Sequence, residues 1–101
     1  MLVLISHGSR DPRWRGSLKD LTAAVQAGSS SEEVKLAFMQ FDGPTLSEVV
    51  EEAVGRGEHR FRLHPLFMAS AGHVDKDIRP MVEELGNRFP DVRMELLEPV
   101  G

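Results

Sequence analysis

Hydrophobic and polar positions repeat along the chain with two different periods. Residues 2–5, LVLI, form an apolar run that is too short for an amphipathic helix and rich in branched side chains, which predicts a buried strand. Three further segments favour strands, at residues 34–41, 60–64 and 92–97. In the segment 60–64, Phe61 and Leu63 face one side of the strand and the arginines next to them face the other.

Two longer segments carry apolar side chains at helical spacing. The first starts at Asp11 and Pro12, which suit the N-cap and the first helical position, and it ends at the sequence GSSS. The second starts at Thr45, which forms a capping-box pattern with Glu48 three residues later. The apolar residues of the two predicted helices are Leu18, Leu21 and Val25 in the first and Leu46, Val49, Val50, Ala53 and Val54 in the second.

A third helical pattern follows the strand at residues 60–64. Its apolar residues are Ile78, Met81, Val82 and Leu85. We expect Asp77 to cap this helix, because Pro80 then lies inside the first turn, where it is tolerated.

The regular order of strand and helix predicts an α/β fold. We expect a three-layer arrangement, in which a parallel sheet of about four strands is flanked by three helices. In such sheets ligands bind beyond the carboxyl ends of the strands, so the residues that follow each strand are the first candidates for a site.

Composition narrows the class of protein. The chain has 101 residues, which suits one domain, and 41% of them are hydrophobic and 28% charged, as in soluble globular proteins. No apolar run approaches the roughly 20 residues of a membrane span, and no signal-peptide pattern opens the chain, so we expect a cytoplasmic protein. The net charge of -4 argues against a nucleic-acid surface. No cysteine is present, so a metal would need nitrogen and oxygen ligands.

Two histidines follow predicted strands at the same edge of the sheet. His7 comes directly after the first strand, and His73 lies in the loop after the third. Gly8 and Gly72 beside them leave room for a large ligand to approach the backbone. Neutral imidazole binds divalent cobalt, iron, nickel and zinc, and near neutral pH it also accepts a proton. A metal site, a proton acceptor and an ordinary polar end of a strand all remain open for this pair.

Other polar residues offer weaker chemistry. Gln40 and Asp42 end the second strand and would supply a neutral oxygen and a carboxylate, although Asp before Gly and Pro is also ordinary turn chemistry. We interpret His59 and His64 as structural. Ser9 lacks the glycine-x-serine-x-glycine surroundings of a hydrolase nucleophile.

A basic patch lies beside His7 on this otherwise acidic chain. Its members are Arg10, Arg13, Arg15 and Lys19, opposed only by Asp11. The patch is either a solvated helix face or a rim that binds an anionic ligand.

Two segments together resemble one known family. Residues 2–13, LVLISHGSRDPR, and residues 64–80, HPLFMASAGHVDKDIRP, are similar to the signature segments of the CbiX and sirohydrochlorin chelatase family, and residues 34–54 match its middle part in pattern. The resemblance implies a flavodoxin-like chelatase half-domain that inserts divalent cobalt or ferrous iron, with nickel as a further metal, into the tetrapyrrole sirohydrochlorin. It implies a lyase of cobalamin or siroheme biosynthesis that works without ATP and without a prosthetic group.

The resemblance also assigns roles to residues. His7 and His73 match the histidines associated with metal binding and proton removal, and Asp42 is the expected third ligand. The expected substrate-binding residues are Arg10 and Arg13, with Gly8, Ser9 and Gly72. Many longer members have a glutamate where this chain has Gln40. Glutamine is a weaker ligand and cannot act as a base, so charge would have to come from Asp42, water or a partner chain.

The resemblance further implies how the domain is organised. Residues 1–101 correspond to a single CbiX-like chelatase domain without the usual final helix, and short family members pair as homodimers, so we expect a homodimer. Two other functions stay open. One is a non-catalytic metal-binding or tetrapyrrole-binding protein of the same fold, which Gln40 favours, and the other is a flavodoxin-like interaction domain whose histidines are structural.

Overall fold

The computed structural model describes residues 1–6, 12–29, 31–39, 43–66 and 78–97. Within these ranges four strands alternate with three helices, as the sequence predicted. The strands are β1 (Leu2–Ser6), β2 (Val34–Phe38), β3 (Arg60–Pro65) and β4 (Arg93–Leu96), and the helices are α1 (Pro12–Ala27), α2 (Leu46–Gly55) and α3 (Arg79–Arg88).

The four strands form one parallel sheet in the order β2-β1-β3-β4. Strand β1 is central, with Ser6 beside Phe38 of β2 and Ile5 beside Pro65 of β3. The α/β fold with a parallel sheet is therefore confirmed, and the shared register aligns the carboxyl ends of β1, β2 and β3.

Apolar side chains cover the two faces of the sheet in two separate clusters. On one face, α1 packs against β1 and β2 through Leu18, which is 1% exposed. On the other face, α2 and α3 pack against β1 and β3, with Val50 and Leu85 among the buried side chains. Burying one such side chain contributes about 1.5–3 kcal/mol, so these two layers hold the sheet in place.

The capping box predicted at the start of α2 is confirmed. The Thr45 hydroxyl accepts a hydrogen bond from the Glu48 backbone N–H at 3.2 Å, and the Glu48 carboxylate accepts one from the Thr45 backbone N–H at 3.0 Å. Two N–H groups that the helix itself cannot satisfy thereby gain partners.

Two predicted boundaries are corrected. Strand β2 ends at Phe38 and not at residue 41, because the Phe38 N–H donates to the Pro44 carbonyl oxygen at 2.9 Å and the returning chain occupies the outer edge there. The N-cap of α3 is Ile78 and not Asp77, and Ile78 makes no side-chain capping bond. Ile78 is completely buried, so core packing fixes this helix start, and Pro80 still lies within the first turn.

None of the helices in the described part of the chain combines the length and the apolarity that a membrane span requires.

Candidate functional site

The ends of three strands meet at one edge of the sheet. The Met39 N–H donates to the Ser6 carbonyl oxygen at 2.9 Å, and the Leu66 N–H donates to the Ile5 carbonyl oxygen at 2.7 Å. Neighbouring strands in a sheet lie about 4.8 Å apart. The chain therefore leaves β1, β2 and β3 from adjacent points, which is the arrangement that the predicted site requires.

Most of the predicted site residues lie outside the described residues. They are His7, Gly8, Ser9, Arg10, Gln40, Asp42, Gly72 and His73. His7 directly follows Ser6, and Asp42 directly precedes Gly43. The structure brings together the strand ends that lead to these residues, and the roles of their side chains remain predictions.

The points from which these segments leave the fold are buried. Ser6 is 2% exposed at the end of β1, Leu66 is 5% exposed after β3, and Ile78 is 0% exposed before α3. The segment 7–11 starts from Ser6, and the segment 67–77 runs between Leu66 and Ile78. The described residues next to the segments that contain the two candidate histidines are therefore part of the core.

All three described helices start at this edge of the sheet, because each connects the end of one parallel strand to the beginning of the next. Helices α1 and α3 each lead from this edge back to the beginning of the next strand, so their N-termini lie beside the strand ends. Neither has an acidic residue in its first turn, whereas α2 has Glu48 there. A helix N-terminus favours negative charge, so this edge suits an anionic ligand.

Arg13 is the predicted substrate-binding residue that the structure describes. It lies in the first turn of α1 with an exposed side chain, and its carbonyl oxygen accepts a hydrogen bond from the Ser17 hydroxyl at 3.1 Å. Arg79 is exposed in the first turn of α3. The structure thus brings Arg13 to the predicted edge and adds a second arginine, Arg79, at the start of α3.

The capping box at the start of α2 also affects a carboxyl group near the end of β2. The pKa of Glu48 is lowered, chiefly because the Thr45 backbone N–H donates to its carboxylate and also because of the Thr45 side chain. Glu48 is therefore a charged structural group and is not available as a proton acceptor near neutral pH.

A metal site elsewhere in the described part of the chain has no support. Among these residues, no three histidine, aspartate or glutamate side chains come together in a group that could hold a metal ion. His59 is exposed, and its carbonyl oxygen accepts from the Arg93 N–H at 2.8 Å, while His64 is half-buried within β3. The interpretation of these two histidines as structural remains a prediction.

Sequence reasoning missed two groups of polar residues. Gln26 makes three hydrogen bonds that join the end of α1 to the start of β2, and Arg60 lies beside Arg93 across two strands. A polar residue in a helix gives no signal of its distant partner. The pairing of β3 with β4 depends on register, which the sequence pattern does not fix.

The sequence of this chain is similar to those of known proteins. The family model described as CbiX matches residues 1–101. The chain is similar to the sirohydrochlorin cobaltochelatase of Methanocaldococcus jannaschii, with 34% identity over 77 residues that make up 76% of this chain and 54% of that protein. The chain spans about half the length of the curated relatives it matches first.

The fold of this chain is similar to those of solved structures. A protein from Marinobacter aquaeolei VT8, assigned as a CbiX protein of cobalamin (vitamin B12) biosynthesis, is 34% identical, with a TM-score of 0.83 over 97% of this chain and 79% of that one. The sirohydrochlorin chelatase SirB from Bacillus subtilis subspecies spizizenii, solved in complex with cobalt, has a TM-score of 0.87. It is 22% identical and covers 97% of this chain and 42% of that one, so this likeness concerns the fold.

Proposed function

The chain belongs to the CbiX family, and from that premise we propose that it inserts divalent cobalt or ferrous iron into sirohydrochlorin. The product would serve cobalamin or siroheme biosynthesis. The match of the CbiX family model to residues 1–101 is the observation that carries this proposal. The shared edge of β1, β2 and β3 supports it, because the segments with the candidate histidines both start there.

The reaction sets two chemical requirements on the site. A tetrapyrrole releases two pyrrole N–H protons as it takes up one divalent metal ion, so the site needs a proton acceptor and a group that holds the metal beside the ring. Neutral imidazole meets both requirements near pH 7. We assign these roles to His7 and His73: the unprotonated ring nitrogen of each would hold the metal ion as substrate, and it would become free to accept a released proton when the ion passes into the ring.

The charge of the metal ion calls for a carboxylate nearby. Two neutral imidazoles leave the ion's double positive charge uncompensated, so we assign Asp42 as the third ligand. Gln40, where many longer members have a glutamate, supplies at most a neutral oxygen. The proton-accepting role therefore rests on the two histidines.

The substrate's carboxylates call for positive groups around the metal site. We assign Arg10 and Arg13 to this role, because a guanidinium forms paired hydrogen bonds with a carboxylate. The start of α1, which has no acidic residue in its first turn, supports an anionic ligand there. Gly8, Ser9 and Gly72 would let the macrocycle lie close to the backbone.

We propose that two copies of the domain form the working enzyme. The family resemblance supports this, since short members pair as homodimers and the domain of residues 1–101 corresponds to one chelatase half-domain. In a pair, the second copy covers the open side of the large planar substrate and supplies further charged groups.

Metal insertion can be followed directly by absorbance. Purified protein is mixed without oxygen with sirohydrochlorin and Co²⁺, and in separate reactions with Fe²⁺ and Ni²⁺, and the spectral change is compared with a protein-free reaction. We expect a rate that exceeds the spontaneous one and increases in proportion to protein concentration. Tight binding of metal or tetrapyrrole with only the spontaneous rate would contradict the proposal and identify a non-catalytic binding protein.

A further inference from the structure

Two arginines lie side by side at the amino ends of β3 and β4, at the end of the sheet opposite the candidate site. Arg60 is the first residue of β3 and Arg93 the first residue of β4, and the parallel register pairs them directly. Paired residues in a parallel sheet point to the same face, and both side chains are exposed. Two positive charges are thus held next to each other at the amino ends of these strands.

The backbone at this point is fixed by hydrogen bonds. The Met1 ammonium group donates to the Arg60 carbonyl oxygen at 2.9 Å, and the Arg93 N–H donates to the His59 carbonyl oxygen at 2.8 Å. The Arg62 N–H donates to the Met1 carbonyl oxygen at 2.8 Å. The two guanidinium groups therefore extend from a rigid base.

Neither guanidinium has a carboxylate partner among the residues that the structure describes. Other arginines in the same ranges do form such pairs. Arg62 contacts Glu32 at 2.6 Å, and Arg88 contacts Glu51 at 2.6 Å. Like charges placed directly beside each other on a sheet are destabilising, so an unpaired arginine pair is a cost that a bound anion would remove.

The arginine pair lines a groove of about 540 Å³ at the amino ends of the strands. Most carboxylates in this groove already have cationic partners. Glu32 and Glu58 lie 3.7 Å and 3.6 Å from the Met1 ammonium group, and Glu33 contacts Lys35 at 3.1 Å. Glu95 lies beside Arg62 in the register. Among the described residues, Arg60 and Arg93 are the cationic groups of this lining that have no carboxylate within ion-pair distance.

We propose that Arg60 and Arg93 together bind a small oxyanion, the phosphate or carboxylate group of a metabolite. Guanidinium groups recognise both through paired hydrogen bonds, and strand spacing of about 4.8 Å lets two of them hold one such group. The site is separate from the proposed chelatase site, because β3 has six residues and its amino and carboxyl ends therefore lie roughly 20 Å apart. A ligand here is bound independently of metal insertion.

Titration with defined anions tests this site. Inorganic phosphate and tricarballylate are each added to the intact protein at constant ionic strength, and binding is followed by the arginine side-chain N–H resonances. We expect saturable binding of at least one of these two anions. The anion that binds more tightly identifies the recognised group as a phosphate or a carboxylate. Arg60→Gln and Arg93→Gln should each weaken the affinity by about tenfold, which corresponds to the loss of one charged hydrogen-bonding partner.

Two further variants distinguish a built site from general attraction. Arg88→Gln removes an exposed arginine elsewhere and should bind the anion as the wild type does. Arg60→Lys keeps the charge but loses the paired geometry, and should bind with intermediate affinity. Non-saturable binding, or an equal loss in Arg88→Gln and Arg60→Gln, would overturn the proposal.

Discussion

The Gln26 side chain joins the end of α1 to the start of the edge strand β2. Its carbonyl oxygen accepts a hydrogen bond from the Val34 backbone N–H at 2.7 Å, and its amide nitrogen donates to the carbonyl oxygens of Ser29 and Glu32, each at 3.2 Å. One side chain thus satisfies three backbone groups in the connection between α1 and β2.

The same contacts protect the outer edge of β2. An edge strand presents backbone N–H groups that invite pairing with other chains. Gln26 occupies the N–H of Val34, and the Pro44 carbonyl oxygen occupies that of Phe38 at 2.9 Å. Both ends of β2 are therefore closed on its outer side.

Replacement of Gln26 should lower stability. In Gln26→Leu the Val34 N–H and two carbonyl oxygens lose their partner, and we expect the free energy of unfolding to fall by about 1–3 kcal/mol. Gln26→Glu keeps the acceptor for the Val34 N–H but loses both donated bonds. Its free energy of unfolding should therefore lie between those of the wild type and Gln26→Leu. Urea denaturation measures all three proteins. A Gln26→Leu variant as stable as the wild type would contradict this assignment.

The capping box of α2 should make stability depend on pH. The pKa of Glu48 in the folded protein is lowered from its ordinary value of 4.5 by hydrogen bonds from Thr45. A lowered folded-state pKa gives stability that is present above the unfolded-state value and is lost as the pH falls through the folded-state pKa. We therefore expect the stability difference between wild type and Glu48→Gln to shrink as the pH falls from 5.5 to about 3.

Thermal unfolding at several pH values measures this difference. The matched variant Thr45→Ala removes the capping hydroxyl and should cost about 0.5–2 kcal/mol. Glu52, which pairs with Arg56 at 3.0 Å on the same helix, provides a control in Glu52→Gln. If the difference in stability between the wild type and Glu48→Gln is the same at every pH, Glu48 does not act through its charge.

The two histidines should be required for insertion and not for folding. We expect His7→Ala and His73→Ala each to reduce the insertion rate by about 10²–10⁴-fold, the usual contribution of a positioned acid or base. His59→Ala, at an exposed histidine outside the proposed site, should keep wild-type activity. Circular dichroism checks that the fold is intact. Full activity in both site variants would remove their assigned roles.

Arg13 should affect substrate binding more than turnover. Because its proposed role is to contact a carboxylate away from the reacting nitrogens, we expect Arg13→Ala to raise KM for sirohydrochlorin by roughly tenfold with little change in kcat. Arg88→Ala, on a different helix, is the matched control. A large fall in kcat with unchanged KM would place Arg13 in the chemical step instead.

The proposed homodimer has a simple test. Multi-angle light scattering at micromolar concentration should give twice the mass of one chain, and specific activity should fall when the protein is diluted until it dissociates. A stable monomer with full activity would contradict the dimer.

The sequence predicted the type and order of the helices and strands because local physics determines them. The helical spacing of Val49, Val50 and Ala53 and the hydrogen bonds between Thr45 and Glu48 depend only on nearby residues, and both are found in the structure. The edge at which β1, β2 and β3 end together also followed, since consecutive strands of a parallel sheet share a direction.

Features that depend on distant contacts were missed. The start of α3 is fixed by burial of Ile78, which outweighs the capping preference of an aspartate. Gln26 finds Val34 only after α1 and β2 have packed together, and Arg60 meets Arg93 only in the register of β3 and β4. The site residues from His7 to Arg10 and around His73 lie outside the described residues, so their roles remain predictions.

The number of sirohydrochlorin molecules metallated per protein chain tests the central claim most directly. Substrate and Co²⁺ are supplied in large excess over protein, and the product is measured by absorbance against a reaction that contains the double variant His7→Ala/His73→Ala. We expect many metallated molecules per wild-type chain and only the spontaneous amount with the double variant. A wild-type yield that stops at one molecule per chain, or that equals the yield with the double variant, would contradict the assignment of this chain as a chelatase.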